Sequence, residues 1–366
     1  MGECPSSKHN LGAHTTTLEN QELIPHKIYL AQTMLPINLT IVALLSFAIP
    51  FIATLILTPL LIKTLTKRGG LVQDYHKANK PLVPKPGGPA IIISLILGEV
   101  VVYLTTGSTG VLALLLVTGI AGAIGLIDDI YTLSGALKPA LLILGSLPLL
   151  LLDAYNFHPE FPLFGAVRLS IIYPLILLIA IPVTSNTVNT IDVLNGVVSG
   201  FIIIVSIPLV FAMLLKGETT IALATLPIIA SSLAFYVFHR FPSKIFPGDS
   251  GSLTLGALYG GLAIVGGVEV VGIVALLPAI LNSFFFLSSV RRFVEHRKIK
   301  QRPTKLLEGD RLAASRNGSA PVTLVRMLLA DGPLTEQQVA REIFKLAAFS
   351  SLLAVITAIL TWGVPL

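Results

Sequence analysis

Three short polar stretches interrupt an otherwise apolar chain, and each carries residue types that could bind a cation or a phosphate. The first, GLIDDI, ends in the adjacent carboxylates Asp128 and Asp129. Two neighbouring carboxylates repel each other unless a cation or a basic side chain neutralises them. Lys138 is the next basic residue along the chain. A hydrated helix end explains the acidic pair equally well when this stretch is taken alone.

The second stretch, SNTVNTIDVLNG, repeats a polar residue at every third position: Asn186, Asn189, Asp192 and Asn195. On a helix, positions three apart share a face, so these side chains form a polar stripe. Amide and carboxylate oxygens are ligands that suit Mg²⁺. The alternative is a polar contact between two helices. Four such residues within ten positions favour the ligand interpretation.

The third stretch, FPGDSGSLTLG, puts Asp249 between Gly248 and the pair Ser250–Gly251, just before an apolar run. Small residues let a backbone approach a phosphate, and the free N–H groups of a helix N-terminus bind anions. An acid at such a point is explained by a cation that bridges it to the phosphate. Taken alone, a capping aspartate explains the stretch better.

A basic segment supplies positive charge. VRRFVEHRKIKQRPTK has seven Lys/Arg residues between Arg291 and Lys305, with His296 among them. Arginine forks could hold a diphosphate-bearing substrate. The same charges also determine membrane topology and attract anionic lipid headgroups, and composition does not separate these uses.

The elements that must position these residues are apolar helices. Of the 366 residues, 54% are hydrophobic and 12% charged, with a mean hydropathy of +0.85, whereas soluble domains have about 25% charged residues. This composition excludes a soluble enzyme and a disordered chain, and the single Cys4 excludes an internal disulfide. At roughly 20 residues per crossing, ten apolar runs are candidate transmembrane helices: Leu39–Ile62, Pro89–Thr105, Gly110–Ile127, Leu137–Leu152, Leu169–Val183, Ile191–Leu215, Thr220–Phe238, Ser252–Val265, Val268–Val290 and Leu346–Trp362.

Positive charge sets the expected orientation of these helices. The segment between the first two runs has six Lys/Arg against one acid, and residues 291–345 have twelve against six. Because basic loops remain on the cytoplasmic side, all three polar stretches are expected on the cytoplasmic face, with both termini extracytoplasmic. Residues 154–170 then form a small extracytoplasmic hairpin between helices 4 and 5.

The predicted fold is all-α, a polytopic integral membrane protein with about ten transmembrane helices. Its predicted parts are an extracytoplasmic tail (1–38), helices 1–9 with catalytic cytoplasmic loops (39–290), a basic cytoplasmic loop (291–345), and helix 10 with the C-terminus (346–366). Within the basic loop, VTLVRMLLADGPLTEQQVAREIF is typical of an amphipathic helical hairpin. A DNA-binding helix-turn-helix is disfavoured there, so no nucleic-acid partner is expected.

The order of the motifs resembles that of a known group of membrane enzymes. GLIDDI, NTVNTIDVLNG, FPGDSGSLTLG and a basic loop, over about residues 39–363, resemble the polyprenyl-phosphate N-acetylhexosamine-1-phosphate transferases. Thr132 stands where bacterial members usually have a third aspartate, and the basic loop has His296 rather than a histidine-rich motif. Asp192 and GDSGS agree with the bacterial pattern. This mixture resembles an archaeal relative of the dolichyl-phosphate GlcNAc-1-phosphate transferase.

The resemblance implies roles for the residues that match. Asp249 and Asn189 would hold Mg²⁺, with Mn²⁺ as the alternative ion, and Asn186 would support them. Asp192 would belong to the substrate-binding side, and Asn195 would face the sugar.

The remaining matches concern the phosphates. Asp128 and Asp129 would lie at the lipid phosphate, with Asp128 as a candidate base, and Lys138 would contact phosphate. Candidates for binding the nucleotide and the diphosphate–sugar part are Lys85, His296, Arg297 and Arg302.

The implied reaction is transfer of N-acetylglucosamine 1-phosphate, or a related HexNAc 1-phosphate, from a UDP-sugar to dolichyl or another polyprenyl phosphate. UMP would leave, and the product would begin N-glycan assembly. The bacterial phospho-MurNAc-pentapeptide and undecaprenyl-phosphate GlcNAc reactions are alternatives. A flippase of lipid-linked sugars is disfavoured, because its polar groups would lie at the membrane midplane. The expected location is the plasma membrane with a cytoplasmic active site, and a homodimer is expected only by analogy.

Overall fold

The structure is a computed structural model that describes residues 38–290 and 301–363. Within these residues, each of the ten predicted runs contains a helix or a short series of helices. The helices are α1 (Leu39–Arg68), α2 (Gly88–Thr106), α3 (Thr109–Tyr131), α4 (Leu137–Leu142), α5 (Leu147–Leu151), α6 (Ile172–Ile191), α7 (Val197–Lys216), α8 (Thr219–Ala224), α9 (Leu226–His239), α10 (Gly248–Val265), α11 (Glu269–Val290), α12 (Leu324–Leu328) and α13 (Glu336–Ala358). A 3₁₀ turn joins α4 to α5, and a π-helical turn follows α13.

Eight helical segments of the described chain are long and apolar enough to cross a membrane: α1, α2, α3, α6, α7, α8 with α9, α11, and α13 with its π-helical turn. The chain is therefore a polytopic integral membrane protein, as predicted. The run containing α4 and α5 is shorter and broken, because Pro148 lacks the N–H that a continuous helix would need there. α10 has all but its last residue buried, so protein surrounds its small and polar side chains.

α10 forms the centre of the bundle and packs against α2, α3 and α6. Glycines allow this close approach. A Cβ on Gly125 of α3 would lie 2.5 Å from the Cα of Ser250, and a Cβ on Gly256 would lie 2.7 Å from the Cα of Ser185. Since no side chain fits at either crossing, the C-terminal halves of α3 and α6 are held directly against α10.

Short antiparallel strands occupy the connections. β1 (Leu71–Gln73) pairs with β2 (Leu82–Pro84) between α1 and α2, with Val72 opposite Val83. β3 (Glu160–Phe161) and β4 (Gly165–Ala166) form the predicted hairpin, which lies between α5 and α6. β5 (Thr304–Leu307), β6 (Arg311–Ala314) and β7 (Leu334–Thr335) form a three-stranded sheet in the order β5-β6-β7.

The last helix begins at Glu336, ahead of the predicted boundary at 346. Thr335 starts it with a capping box: the N–H of Gln338 donates to the Thr335 hydroxyl, and the Gln338 side chain accepts from the Thr335 N–H. The helix, Gly-Pro turn and helix predicted over residues 322–344 are present, but the first helix is short and the second is the beginning of α13. α12 is a single short turn, and Leu334 pairs with Leu312 in the sheet. The predicted N-terminal tail, apart from Asn38, lies outside the described residues.

Candidate active site

One end of the bundle collects polar residues from the three predicted stretches. The C-terminal end of α3 carries Asp128 and Asp129, and the N-terminal end of α10 carries Asp249. We call this the aspartate end. Because α10 runs antiparallel to α3 and α6, it also meets the last turn of α6, which carries Asn189, while α4 contributes Lys138.

Asp129 caps the N-terminus of α10. Its carboxylate accepts hydrogen bonds from the N–H of Asp249 at 3.0 Å and the N–H of Ser250 at 2.9 Å, and from the Ser250 hydroxyl at 2.6 Å. A negative charge at this point is favoured by the helix dipole. Gly248 has φ +76°, and a Cβ on it would lie 2.7 Å from Asp129. Asp129 therefore fixes the backbone that carries Asp249.

Lys138 links the other two aspartates. Its ammonium forms an ion pair with Asp128 and donates to Asp249 at 2.8 Å. Asp128 also accepts the N–H of Leu133 at 2.7 Å, across the turn that ends α3. All three side chains of this triad are almost fully buried. Of the two adjacent carboxylates, Lys138 therefore neutralises Asp128, and its second partner is Asp249 rather than Asp129.

Lys85 is the second cation of the aspartate end. The chain between β2 and α2 brings its ammonium to 3.5 Å from both Asp129 and Asp249. Its side chain is 25% exposed, more than the 11% of Lys138. Three carboxylates therefore face two ammonium groups. The excess negative charge favours a cation at this end, and Lys85 is the ammonium group that solvent reaches more easily.

Asn189 lies beside Asp249, as its predicted role requires. Its Nδ2 donates to Asp249 at 3.1 Å, and its Oδ1 accepts from the Ser252 hydroxyl at 2.7 Å. A hydroxyl both donates and accepts, so the amide can reverse without losing Ser252 and then turn its oxygen toward Asp249. Asn186, one turn earlier, donates to the carbonyl of Pro182 in its own helix at 2.8 Å.

Asp192 directly follows the last residue of α6. Burial raises the pKa of its carboxyl to about 7, although the positive charge of Lys85 opposes the shift. The negative charges of Asp249 and Asp129 act in the same direction as burial. Its neighbour His239 has Nε2 at 3.9 Å from the carboxylate. Asp192 is thus a titratable group beside the aspartate end.

Asn195 belongs to a different group of side chains. It is 4% exposed and contacts Asp74 and Glu336, which both also pair with Lys77. We call these four residues the α13 cluster. Burial by itself would raise the pKa of Asp74, but hydrogen bonds from Lys77 and Asn195 lower it overall. In the described chain, every polar atom of the Asn195 side chain is engaged within the protein.

The basic segment is described only in part. Arg302 stacks its guanidinium on the ring of Tyr75, 4.4 Å from the centroid. His296 and Arg297 lie outside the described residues. Beside the α13 cluster, a cavity of about 190 Å³ is lined by His76, Phe241, Gly309, Asp310, Thr335, Glu336 and Gln337. Arg302 therefore lies beside Tyr75, in the loop between β1 and β2, rather than beside Asp249.

Sequence reasoning missed three residues of the α13 cluster, namely Asp74, Lys77 and Glu336. Asp74 carried a usable signal, as the one acid among six basic residues between the first two apolar runs. Glu336 carried none, because its partner Asn195 is 141 positions away.

The donors at the aspartate end fit Mg²⁺ bound jointly with a substrate. Among residues 38–290 and 301–363, no three or more His, Cys, Asp or Glu side chains converge as ligands. Mg²⁺ usually binds through one or two carboxylates together with substrate phosphates and water. Asp249 and the reversible amide of Asn189 supply oxygens of that kind, and the ammonium of Lys85 lies 3.5 Å from Asp249.

Comparisons with known proteins identify the family of the chain. Residues 111–267 match the model of the family described as glycosyl transferase family 4. A Sulfolobus acidocaldarius protein, provisionally named UDP-N-acetylglucosamine–dolichyl-phosphate N-acetylglucosaminephosphotransferase, is 31% identical over 259 residues, 68% of this chain and 78% of its own. The chain belongs to glycosyl transferase family 4. It is thus a member of the polyprenyl-phosphate N-acetylhexosamine-1-phosphate transferase superfamily.

Other relatives span two branches of this superfamily. A Saccharolobus solfataricus protein with the same provisional name is 28% identical over 318 residues, covering 86% of this chain and 96% of its own. The phospho-N-acetylmuramoyl-pentapeptide-transferase of Streptococcus thermophilus is 31% identical over 264 residues, covering 64% and 76%. The family 4 match includes Asp128, Asn189 and Asp249, whereas Lys85 and Glu336 lie outside it.

Proposed function

We propose that this family 4 protein transfers N-acetylglucosamine 1-phosphate from UDP-N-acetylglucosamine to dolichyl or another polyprenyl phosphate. The observation that carries the proposal is the pair of ammonium groups beside Asp249, at 2.8 Å from Lys138 and 3.5 Å from Lys85. Two cations and a carboxylate at one end of a membrane-spanning bundle suit a reaction between two phosphate-bearing substrates, one of them a lipid. The names of the archaeal relatives support this sugar and this lipid.

The proposed reaction is one displacement at phosphorus. An oxygen of the lipid phosphate attacks the sugar-linked phosphorus of the UDP-sugar, and a new P–O bond forms. The P–O bond to UMP breaks, and UMP leaves with the bonding electron pair. The lipid phosphate is already ionised near neutral pH, so no strong base is required. A covalent aspartyl intermediate is not needed either.

The residues of the aspartate end would hold and orient these anions. Lys85, the more exposed cation, would bind a phosphate that arrives from water, while Lys138 keeps Asp128 and Asp249 in position. Asp129 would act indirectly, because its hydrogen bonds fix the start of α10. Such preorganised charges stabilise the negative charge that develops on the leaving phosphate.

Asp249 and Asn189 would hold Mg²⁺, with Mn²⁺ as the alternative. Bound there, the ion would supply Lewis-acid polarisation of phosphate oxygens, as in other phosphoryl transfers. The chain's own part is to keep Asn189 beside Asp249 through Ser252.

The position of the reaction follows from substrate chemistry. A nucleotide sugar is water-soluble, whereas a polyprenyl chain needs an apolar environment. We place the aspartate end at the cytoplasmic face of the cell membrane, because residues 63–88, which include Lys85, and residues 291–345 together carry 18 of the 25 Lys/Arg residues. The product would then enter N-glycan assembly as its first lipid-linked sugar.

The test is an assay of purified protein in detergent with UDP-N-acetylglucosamine, dolichyl phosphate and Mg²⁺, following UMP release. UMP should appear only when both lipid and metal are present, EDTA should stop the reaction, and Mg²⁺ should restore it. UDP-MurNAc-pentapeptide with undecaprenyl phosphate forms a second arm for the bacterial reaction. Metal-independent release would remove the metal proposal, and no release in any arm would refute the transferase.

Asp249→Asn provides the matched variant. It should lower UMP release by at least about 10²-fold while the protein remains folded, because the amide can still accept from Lys138. Asp331→Asn is the control, because it makes the same carboxylate-to-amide change at an exposed residue and should leave the rate unchanged. Near-normal release by Asp249→Asn would contradict its assignment.

A further inference from the structure

Glu336, the first residue of α13, is a buried acid that the proposed reaction leaves without a role. Its side chain is 2% exposed. One carboxylate oxygen accepts the N–H of Asn195 at 2.7 Å and the Asn195 Nδ2 at 2.5 Å, and the other pairs with Lys77 at 3.1 Å. A buried carboxylate is retained only when it is paired and hydrogen-bonded. Glu336 therefore makes specific contacts with the turn between α6 and α7.

Asn195 joins that turn to the chain that leads to Asp249. Its Oδ1 accepts the N–H of Ser243 at 2.6 Å, in the connection between α9 and α10. On one side of Asn195, α6 ends shortly after Asn189. On the other side, the connection from Ser243 runs into Gly248 and α10. The side chain of Asn195 is thus a bridge between the two backbones that carry the proposed metal-binding pair.

We propose that Glu336 is a positioning residue for the proposed transfer, which acts through Asn195 to hold the α6–α7 turn and the α9–α10 connection in register. The proposal rests on the proposed function, since it assigns Glu336 to the geometry of the same site. Glu336 does not touch the aspartate end itself. Together with Asp74, it fixes the orientation of the Asn195 amide, whose Nδ2 donates to both carboxylates while its Oδ1 accepts from Ser243.

The charges of the α13 cluster show why a carboxylate serves this purpose. Lys77 pairs with both Asp74 and Glu336, so the last membrane helix is also tied to the loop that carries β1 and β2. That loop continues through β2 to Lys85. Glu336 therefore connects the α6–α7 turn with the loop between β1 and β2, and through Asn195 with the α9–α10 connection. Small displacements of reacting groups, on the order of 1 Å, can lower a rate by about 10².

The kinetic test compares Glu336→Ala with Glu336→Gln. The alanine variant removes the two hydrogen bonds from Asn195 to Glu336 and leaves Asp74 as the acceptor of its Nδ2. We expect kcat for UMP release to fall by about 10-fold to 10²-fold with little change in the KM for UDP-sugar. The glutamine variant keeps an oxygen that accepts from Asn195 and leaves Lys77 paired with Asp74, so it should retain at least about a third of kcat. Glu342→Ala, in the same helix but at an exposed ion pair with Lys345, is the control and should match the wild type.

A double variant tests the route of the effect. If Glu336 acts through Asn195, then Glu336→Ala combined with Asn195→Ala should be no slower than Asn195→Ala alone. If the double variant loses kcat by the product of the two single-variant factors, the proposal is overturned. A wild-type kcat in folded Glu336→Ala would also overturn it. If the alanine variant does not fold, Glu336→Asp takes its place, because it keeps the charge and is one methylene too short to hold Asn195.

Hydrogen exchange separates this proposal from the proposed function. The Ser243 amide should exchange faster in Glu336→Ala, while amides in the middle of α13 keep their wild-type rates. If the wild type releases no UMP, the proposed function fails, and the exchange result alone decides the positioning role. Unchanged exchange at Ser243 overturns it, and a uniform rise along α13 also does so by showing general loosening of the helix.

Discussion

Lys138 should be the residue on which the stability of the aspartate end most depends. Its ammonium pairs with Asp128 and with Asp249 at 2.8 Å, and Asp128 is 1% exposed. Lys138→Met keeps most of the side-chain volume and removes the charge. Asp249 retains Lys85 at 3.5 Å, whereas Asp128 is left as a buried carboxylate beside another carboxylate. Removing one partner of a buried ion pair costs about 3–5 kcal/mol.

Thermal unfolding in detergent measures this effect. At on the order of 2 °C per kcal/mol for a chain of this size, Tm should fall by about 6–10 °C. Adding Asp128→Asn removes the unpaired charge and should recover part of the loss. Lys345→Met is the matched control, because Lys345 is 64% exposed in its pair with Glu342 and such pairs contribute about 0–1 kcal/mol. Equal Tm values for Lys138→Met and Lys345→Met would refute the reasoning.

Two further predictions concern packing and titration. Gly125→Ala should impair folding, because its Cβ would lie 2.5 Å from the backbone of Ser250. Gly119→Ala in the same helix is the control: its Cβ meets nothing within 4 Å, and it should be neutral or stabilising. The yield of monodisperse protein compares the two variants, and equal yields would contradict the close crossing of α3 and α10. Asp192→Asn should change the pH dependence of stability. Burial raises the folded-state pKa of Asp192 to about 7 from the usual 3.8, so its contribution to stability is complete below the unfolded pKa and is lost as pH rises through 7. The Tm difference between Asp192→Asn and the wild type should therefore grow in favour of the variant as pH rises from 5 to 8, up to the equivalent of at most about 4 kcal/mol. A Tm difference that does not change with pH would show that the environment of Asp192 does not raise its pKa.

Much of the fold could be predicted because a membrane-spanning helix needs a long apolar run, and such runs are visible one at a time. The ten runs were predicted in this way, and the hairpin between α5 and α6 was predicted from the polar, proline-containing segment that separates two of them. The second helix of the predicted helical hairpin covered residues 336–344, but its continuity with the last apolar run was missed, since its first turns are polar. The same limit applied to the short sheet of β5, β6 and β7, whose strands are brief and lie within a basic segment.

The sequence by itself determined which residue types could do chemistry. Asp128, Asn189 and Asp249 stand at helix ends in an apolar chain, where a polar residue requires a partner, and their motifs resembled those of the family to which the chain belongs. It also named Lys138 as the basic residue that could neutralise the aspartate pair.

Only the tertiary structure decided which partner each of these residues has. Asp129 was expected at a lipid phosphate, and the structure gives its hydrogen bonds to the N-terminus of α10. Asn195 was expected to face the sugar, and the structure gives it a hydrogen bond to Glu336, 141 positions later. The physical reason is that periodicity reports which face of a helix a residue shares. Which distant helix end meets that face depends on how closely the backbones can pack, as at Gly125 and Gly256.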